Sequence, residues 1–263
     1  MNKKKSSNDT ESLYTIDYFL KNVDGYECYA EFDGSYDQLY SRYKRNVQIL
    51  GLDVHHKFVE YGCGRGEICI FHATRGGRSI GIDYSQGAIN LAKAKAKNLG
   101  VEVEFHAISF ANFKPKSESV DRILASEFIE HISEFEAEMF LRNAFDSLSV
   151  GGKILIYTHP NTLQRRFGYP IVRFASRLIG KKMPKKQPDT ILEHYKLYHL
   201  NEQNYYSLTR LAQMVNASKY VVGYDVYGVE CGDGYFKKSL RRFIGLTPLR
   251  HWFFSGLYLI IEK

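Results

Sequence analysis

The chain has 263 residues, 44% of them hydrophobic and 25% charged, with a formal net charge of +7. That length fits one α/β domain with an appended subdomain rather than two full domains, and the apolar content is enough for a substantial core. No apolar stretch reaches the ~20 residues that span a bilayer. The start, Met1-Asn2-Lys3-Lys4-Lys5, lacks the apolar core of a signal peptide, and Cys28, Cys63, Cys69 and Cys231 show no metal-ligand spacing. The expectation is free thiols and a cytoplasmic location. The positive charge calls for an anionic partner without separating nucleic acid, phosphorylated metabolite and membrane surface.

In chain order, residues 1–11 are polar and charged and read as disordered. Residues 12–50 read as an N-terminal helical cap rich in tyrosine, with Tyr14, Tyr18, Tyr26, Tyr29, Tyr36, Tyr40 and Tyr43. Within the cap, the spacing from Tyr36 to Leu50 predicts a helix packed before the first strand. The remainder, 51–263, reads as the main domain. Phe58-Val59-Glu60-Tyr61 predicts a buried strand, and Gly62-Cys63-Gly64-Arg65-Gly66 a tight turn whose bare backbone lets a ligand approach, with a helix N-terminus behind it over 67–73. A dinucleotide fingerprint would place its last glycine at position 67, where Glu67 stands, so the loop departs from that pattern. Arg78 to Asp83 predicts a second strand ending in a carboxylate about 20 residues past the glycines, where α/β nucleotide-binding folds hold the ribose hydroxyls. Ser85 caps the following helix.

Glu60-x-Gly62-x-Gly64-x-Gly66 resembles motif I of the class I S-adenosylmethionine (SAM) dependent methyltransferases, and Gly81 through Lys93 resembles their second block. The likeness continues down the chain. Val101 to His106 predicts the third strand. Its continuation carries Ser109 where the family usually has an aspartate for the adenine amino group. Ser119 to Ala125 predicts the fourth strand, followed by Ser126-Glu127-Phe128-Ile129-Glu130-His131, as in the family's ubiquinone-biosynthesis-like branch. A helix from Glu134 to Leu148 stops at Gly151-Gly152 before the strand Lys153 to Asn161. Asn201 is read as capping a helix to Val215, with strands over Tyr220 to Tyr227 and Trp252 to Glu262. The resemblance implies a Rossmann-like, doubly wound α/β sheet of seven strands, mostly parallel with the last antiparallel, plus a helical lid insertion over 162–200.

It further implies SAM as cofactor and S-adenosylhomocysteine as product, held by Glu60, Gly62, Cys63, Gly64, Gly66, Asp83, Tyr84, Ser109, Phe110 and Ser126. Glu60 at the end of the first strand would hold the methionine amino group. Since SAM arrives already activated, the protein must chiefly align a nucleophile and exclude water. A hydroxyl acceptor also needs a base, and histidine serves near neutral pH. His131 and His159 are the candidates, with His194 and His199 in the insertion. Metal assistance is not expected, because Glu127, Glu130, His159 and Asn161 do not match the ligand arrangement of catechol-type members.

The expected function is methyl transfer to a small-molecule or lipid-linked acceptor, at oxygen. Nucleic acid is disfavoured as an acceptor because the Asn/Asp-Pro-Pro-aromatic motif is missing after the fourth strand. An RNA or protein methyltransferase and a non-catalytic SAM-binding module are the alternatives. From Thr162 onward, Arg165, Arg166, Arg173, Arg177, Lys181, Lys182, Lys185 and Lys186 interleave with Phe167, Ile171, Val172, Phe174, Leu178 and Ile179, with no acid until Asp189. This basic amphipathic stretch is either a lid for an anionic acceptor or a peripheral contact with an anionic membrane. Lys237, Lys238, Arg241 and Arg242 form a second cluster beside Phe243 and Leu246.

Overall fold

A computed structural model describes residues 14–23, 25–178, 180–185, 199–225 and 235–263, with the backbone alone at 235–238 and 240. Its centre is β1 (Lys57–Tyr61), buried everywhere except at Lys57, as expected of a parallel strand covered on both faces. β1 pairs in parallel with β2 (Arg78–Asp83) on one side and β4 (Val120–Ser126) on the other. β3 (Glu104–Ala107) extends the sheet beyond β2, and β5 (Leu148–Thr158) extends it beyond β4. β7 (Leu257–Glu262) is then inserted antiparallel between β5 and β6 (Lys219–Tyr224). The seven strands run in the order β3-β2-β1-β4-β5-β7-β6, the topology the sequence implied. The order reverses between β1 and β4, so their carboxyl ends border the crevice where open α/β sheets hold ligands.

Helices cover both faces. Phe58, Leu124 and Leu155 pack with α3 (Ser41–Leu50), α4 (Glu67–Thr74) and α5 (Gln86–Asn98) on one side. Val59, Tyr61 and Ile123 pack with α6 (Glu134–Ser147) and α8 (Tyr205–Met214) on the other. Ser85 caps α5 by accepting from Ala88 N, as its position suggested. α6 opens on a capping box of Ser133 and Glu136 that satisfies two otherwise orphaned N–H groups.

Several boundaries differ from expectation. The helix placed from Tyr36 begins at Ser41, because Tyr36–Tyr40 forms a turn ending in extended backbone at Tyr40. Ahead of it stand two short helices of the expected helical cap, α1 (Ile16–Lys21) and α2 (Tyr26–Tyr29), whose bounds the sequence did not give. β3 starts at Glu104 rather than Val101, whose N–H instead bonds Ala96 O to close the end of α5. β5 runs through Gly151-Gly152, since Gly151 N and Gly152 O both bond the backbone of Lys263. The cap of α8 is Asn204, not Asn201, and receives Tyr206 N and Ser207 N. β6 ends at Tyr224. Trp252 belongs to α10 (Arg250–Phe253) and not to the terminal strand. The insertion forms a π-helical turn at Gln164–Gly168 that continues into α7 (Tyr169–Leu178), and α9 (Tyr235–Gly245) follows β6. Residues 1–13, Ile179, Lys186, His194, Cys231 and the side chains of Lys237 and Lys238 lie outside what is described.

Candidate active site

At the carboxyl ends of β1, β2 and β4 a cleft of about 660 Å³ opens, within the usual range for small-molecule sites. The glycine loop is its floor. Gly62, Gly64 and Gly66 have φ of 67°, 51° and 75°, a region other residues enter only with strain. Gly62 and Gly64 line the cleft along with Glu60, Cys63, Asp83, Tyr84, Ser109, Phe110, Ser126, His131 and His159. Gly66 does not line it. A Cβ there would sit 2.6 Å from the Phe105 ring, so this glycine serves the packing of α4 onto β3.

The loop is bound to β2 through Asp83, whose Oδ2 accepts from Gly64 N at 3.0 Å and Oδ1 from Ser85 N at 2.9 Å. Burial raises its carboxyl to about 6 despite those two bonds. Glu60 is buried beside Cys69, whose thiol donates to Oε2 at 3.2 Å, and burial raises its carboxyl to about 8. Ser109 already caps the short turn Phe110–Asn112, its Oγ accepting from Ala111 N at 3.4 Å, so an adenine amino group would have to use its second lone pair.

The N-terminal cap roofs this floor. Tyr14, Tyr18, Phe19, Asn22 and Val23 all line the cleft. Tyr14 O accepts from Ser85 Oγ at 2.9 Å, and its hydroxyl shares a 3.0 Å hydrogen bond with His131 Nδ1. Arg65, only 1% exposed, pairs with Glu67 Oε1 at 2.7 Å and donates from Nη1 to Phe19 O at 2.9 Å. It also lies 4.9 Å from the centre of the Tyr29 ring. One guanidinium therefore fastens α1 and α2 to the glycine loop.

Opposite the loop lies a cluster of acids and imidazoles. Glu127, at φ 52° in strained backbone, meets Arg42 at 3.6 Å and His159 Nδ1 at 3.5 Å. Burial disfavours its charge, but Arg42 and His159 outweigh that and hold the carboxyl down at about 2. Its neighbour Glu130 is fully buried and accepts from Thr158 Oγ1 at 2.9 Å. Burial and the charge of Glu127 push the Glu130 carboxyl well up. His199, from the far end of the insertion, packs edge-on to His131 with centroids 5.0 Å apart. Burial and the adjacent His131 push it down to about 3, which removes it as a base near neutral pH. The two proposed bases differ in setting: Nδ1 of His131 is engaged by Tyr14, whereas Nδ1 of His159 faces a carboxylate.

Asn161 is not available to a ligand. Its side chain donates to His251 O and Phe254 O at 2.8 and 3.0 Å and accepts from Leu163 N at 3.0 Å. The sequence reading did not single out Tyr14, Arg42 or Arg65 for the site, and it named Glu127 without its imidazole partner. The only signal for Arg65 was its place between two motif glycines.

Residues 58–152 match the model of a family described as methyltransferase domain. The chain is similar to "Ubiquinone biosynthesis O-methyltransferase" of Sinorhizobium medicae, 28% identical over 129 residues, covering 49% of this chain and 50% of the relative. A protein of the same name from Bartonella bacilliformis is 29% identical over 133 residues, covering 51% and 52%. The chain thus spans about half the length of the curated relatives it matches. Among solved structures it is similar in fold to a geranyl diphosphate C-methyltransferase from Streptomyces coelicolor, with TM-score 0.58 and 16% identity over 92% of this chain and 84% of that one. A SAM-dependent methyltransferase from Archaeoglobus fulgidus gives TM-score 0.53 and 16% identity over 92% of this chain and 100% of that one.

Proposed function

We propose that this chain, whose residues 58–152 form a class I SAM-dependent methyltransferase domain, transfers the methyl group of SAM to a hydroxyl oxygen of a small or lipid-linked acceptor. The observation that carries the reading is the His159–Glu127 pair across the cleft from the glycine loop. The residues present fit the cofactor. Gly62 and Gly64 permit close approach, Asp83 offers the remaining lone pairs of its carboxylate to the ribose hydroxyls, and Glu60 can face the methionine ammonium. When bound, SAM supplies a methyl carbon on a cationic sulfur, an electrophile that needs no further activation.

The chain's own residues supply position, dryness and a base. Tyr14, Tyr18 and Phe19 close the cleft from above, excluding water that would compete as nucleophile. Glu127 holds His159 through Nδ1, so the tautomer with Nδ1–H leaves Nε2 as the proton acceptor for the acceptor's hydroxyl. The Arg42 guanidinium and the His159 imidazole hold the Glu127 carboxyl in its charged form beside the base. With SAM bound, the acceptor's hydroxyl proton would pass to Nε2 of His159 as its oxygen took the methyl group, and the electron pair of the broken carbon–sulfur bond would stay on sulfur in S-adenosylhomocysteine.

The curated relatives named above are O-methyltransferases, which supports oxygen as the acceptor atom. A lipid-linked acceptor is met at a membrane surface. The test is transfer of labelled methyl from SAM to fractionated lipid and small-molecule extracts by wild type and His159→Ala. We expect a labelled O-methyl product, with turnover lowered ~100-fold or more in the variant and SAM affinity unchanged by calorimetry. Label appearing in RNA or protein fractions instead would replace this reading, and full activity in the variant would exclude His159 as the base.

A further inference from the structure

The insertion and the segment after β6 converge on one surface. Phe167, Ile171, Phe174 and Leu178 are spaced by four, three and four residues, which sets them in one stripe along the π-helical turn and α7. All four are exposed, Phe174 at 65% and Leu178 at 74%. At the base of the stripe the chain is clamped to α10: Gly168 lies so close to the Trp252 carbonyl that a Cβ could not fit, and the Phe167 and Trp252 rings stand 6.2 Å apart. The Asn161 side chain anchors the same junction through its bonds to His251 O and Phe254 O. α10, which exposes Trp252, in turn abuts α9, whose end and following turn expose Phe243, Leu246 at 86% and Leu249.

Two segments some 60 positions apart thus meet at α10, and each exposes large apolar side chains. Arg166, Arg177, Lys181, Lys182, Lys185, Arg242 and Arg250 are exposed around them. No aspartate or glutamate occurs between 162 and 188 or between 235 and 261.

Apolar side chains that reach outward from short helices, inside a rim of one charge sign, are the composition of a surface that lies in a lipid interface. We propose that α7, α10 and the end of α9 form a single docking face for an anionic lipid bilayer, with Phe174, Leu178, Leu246 and Leu249 entering the acyl boundary and the cations meeting the headgroups. The commitment to lipid rests on the one-sided charge, which anionic headgroups complement over the whole face. The inference does not depend on methyl transfer: a chain that docks on vesicles but transfers no methyl would fail the functional reading and keep this one.

The experiment is co-sedimentation of the full chain with vesicles of phosphatidylcholine alone or with phosphatidylglycerol added, at low and high salt. Expected is binding to the phosphatidylglycerol vesicles only, weakened at least tenfold by high salt, since exposed charges are screened. Leu178→Glu in α7 and Leu246→Glu after α9 should each lower the bound fraction at low salt at least tenfold, while SAM affinity by calorimetry stays at the wild-type value and so reports an intact fold. No binding of wild type to phosphatidylglycerol vesicles would overturn the proposal. Loss in the Leu178 variant alone would overturn the single face, and conversion of a dimer to monomer by these variants without vesicle binding would identify the face as a self-contact instead.

Discussion

Both carboxylate oxygens of Asp83 already accept backbone N–H groups, from Gly64 and Ser85, so the residue shapes the glycine loop before any ligand arrives. Each oxygen retains a lone pair for a ribose hydroxyl. We expect Asp83→Ala to weaken both SAM and S-adenosylhomocysteine by about 1.5–3 kcal/mol, the scale of hydrogen bonds to a charged group. Calorimetry on the two ligands checks this, and affinity within twofold of wild type would mean the ribose is held elsewhere. The His159–Glu127 pair gives a second expectation. Glu127→Gln keeps the shape but removes the negative charge facing Nδ1, so turnover should fall ~10-fold or more through the base with little change in SAM affinity. A single-turnover assay alongside calorimetry separates the two.

The place of Asp83, Gly62 and Gly64 at the cleft was legible in the sequence because it is set by local spacing along one strand–turn–helix unit, whereas Gly66 turned out to pack against Phe105. Glu127 was not legible as the partner of His159, since the two meet only when β4 and β5 pair in parallel and bring their carboxyl ends together.

At the scale of elements the same distinction holds. α4, β2 and α5 start or stop where a glycine, a carboxylate or Ser85 says they should, within a residue or two. How the N-terminal cap is fastened was not legible, because what holds α1 in place is a contact between Arg65 and backbone 46 positions away. Asn201 and Asn204 are equally good caps by composition, and the tertiary path of the chain decides for Asn204. Arg65 is the element-scale test. It is buried and paired with Glu67, so Arg65→Ala leaves an acid buried without its cation and should cost about 3–5 kcal/mol of folding stability. Its loss also releases Phe19 O from its bond to the guanidinium. SAM affinity should then fall, and amide exchange over 16–29 should speed up while that of β1 is retained. Uniform exchange across both regions would show that Arg65 acts on the whole domain and not on the roof.

Across the whole molecule, charge is distributed unevenly: the chain carries a net +7, while the cleft is lined by the acids Glu60, Glu67, Asp83 and Glu127. Sheet order and the antiparallel β7 were readable from the alternation of strands and helices with the family likeness. The concentration of acids was not, because it arises where the ends of β1, β2 and β4 and the start of α4 converge at one edge. This concentration has a thermodynamic consequence. Burial raises Glu60 from 4.5 to about 8 and Asp83 from 3.8 to about 6. A carboxyl whose pKa is higher folded than unfolded binds its proton more tightly in the native state. Its contribution is therefore complete below the unfolded pKa and is lost as pH rises through the folded value.

The ligand-free chain should consequently lose stability between about pH 5 and 8, through Asp83 and Glu60 together up to about pH 6 and through Glu60 above it. Glu127, held down at about 2, acts in the opposite sense and only in acid, where its contribution disappears as pH falls from 4.5 toward 2. Melting temperatures measured from pH 5 to 8.5 should fall for wild type and fall markedly less for Glu60→Gln, which cannot ionise. SAM brings cationic charge into this cleft, so its stabilising shift should be larger at pH 8 than at pH 6 in wild type, and this pH dependence should shrink in Glu60→Gln. A variant that follows the wild-type slope in both states would show that Glu60 is not the group responsible, leaving Glu130, also raised by burial and by the charge of Glu127, to be tested by the same measurement with Glu130→Gln.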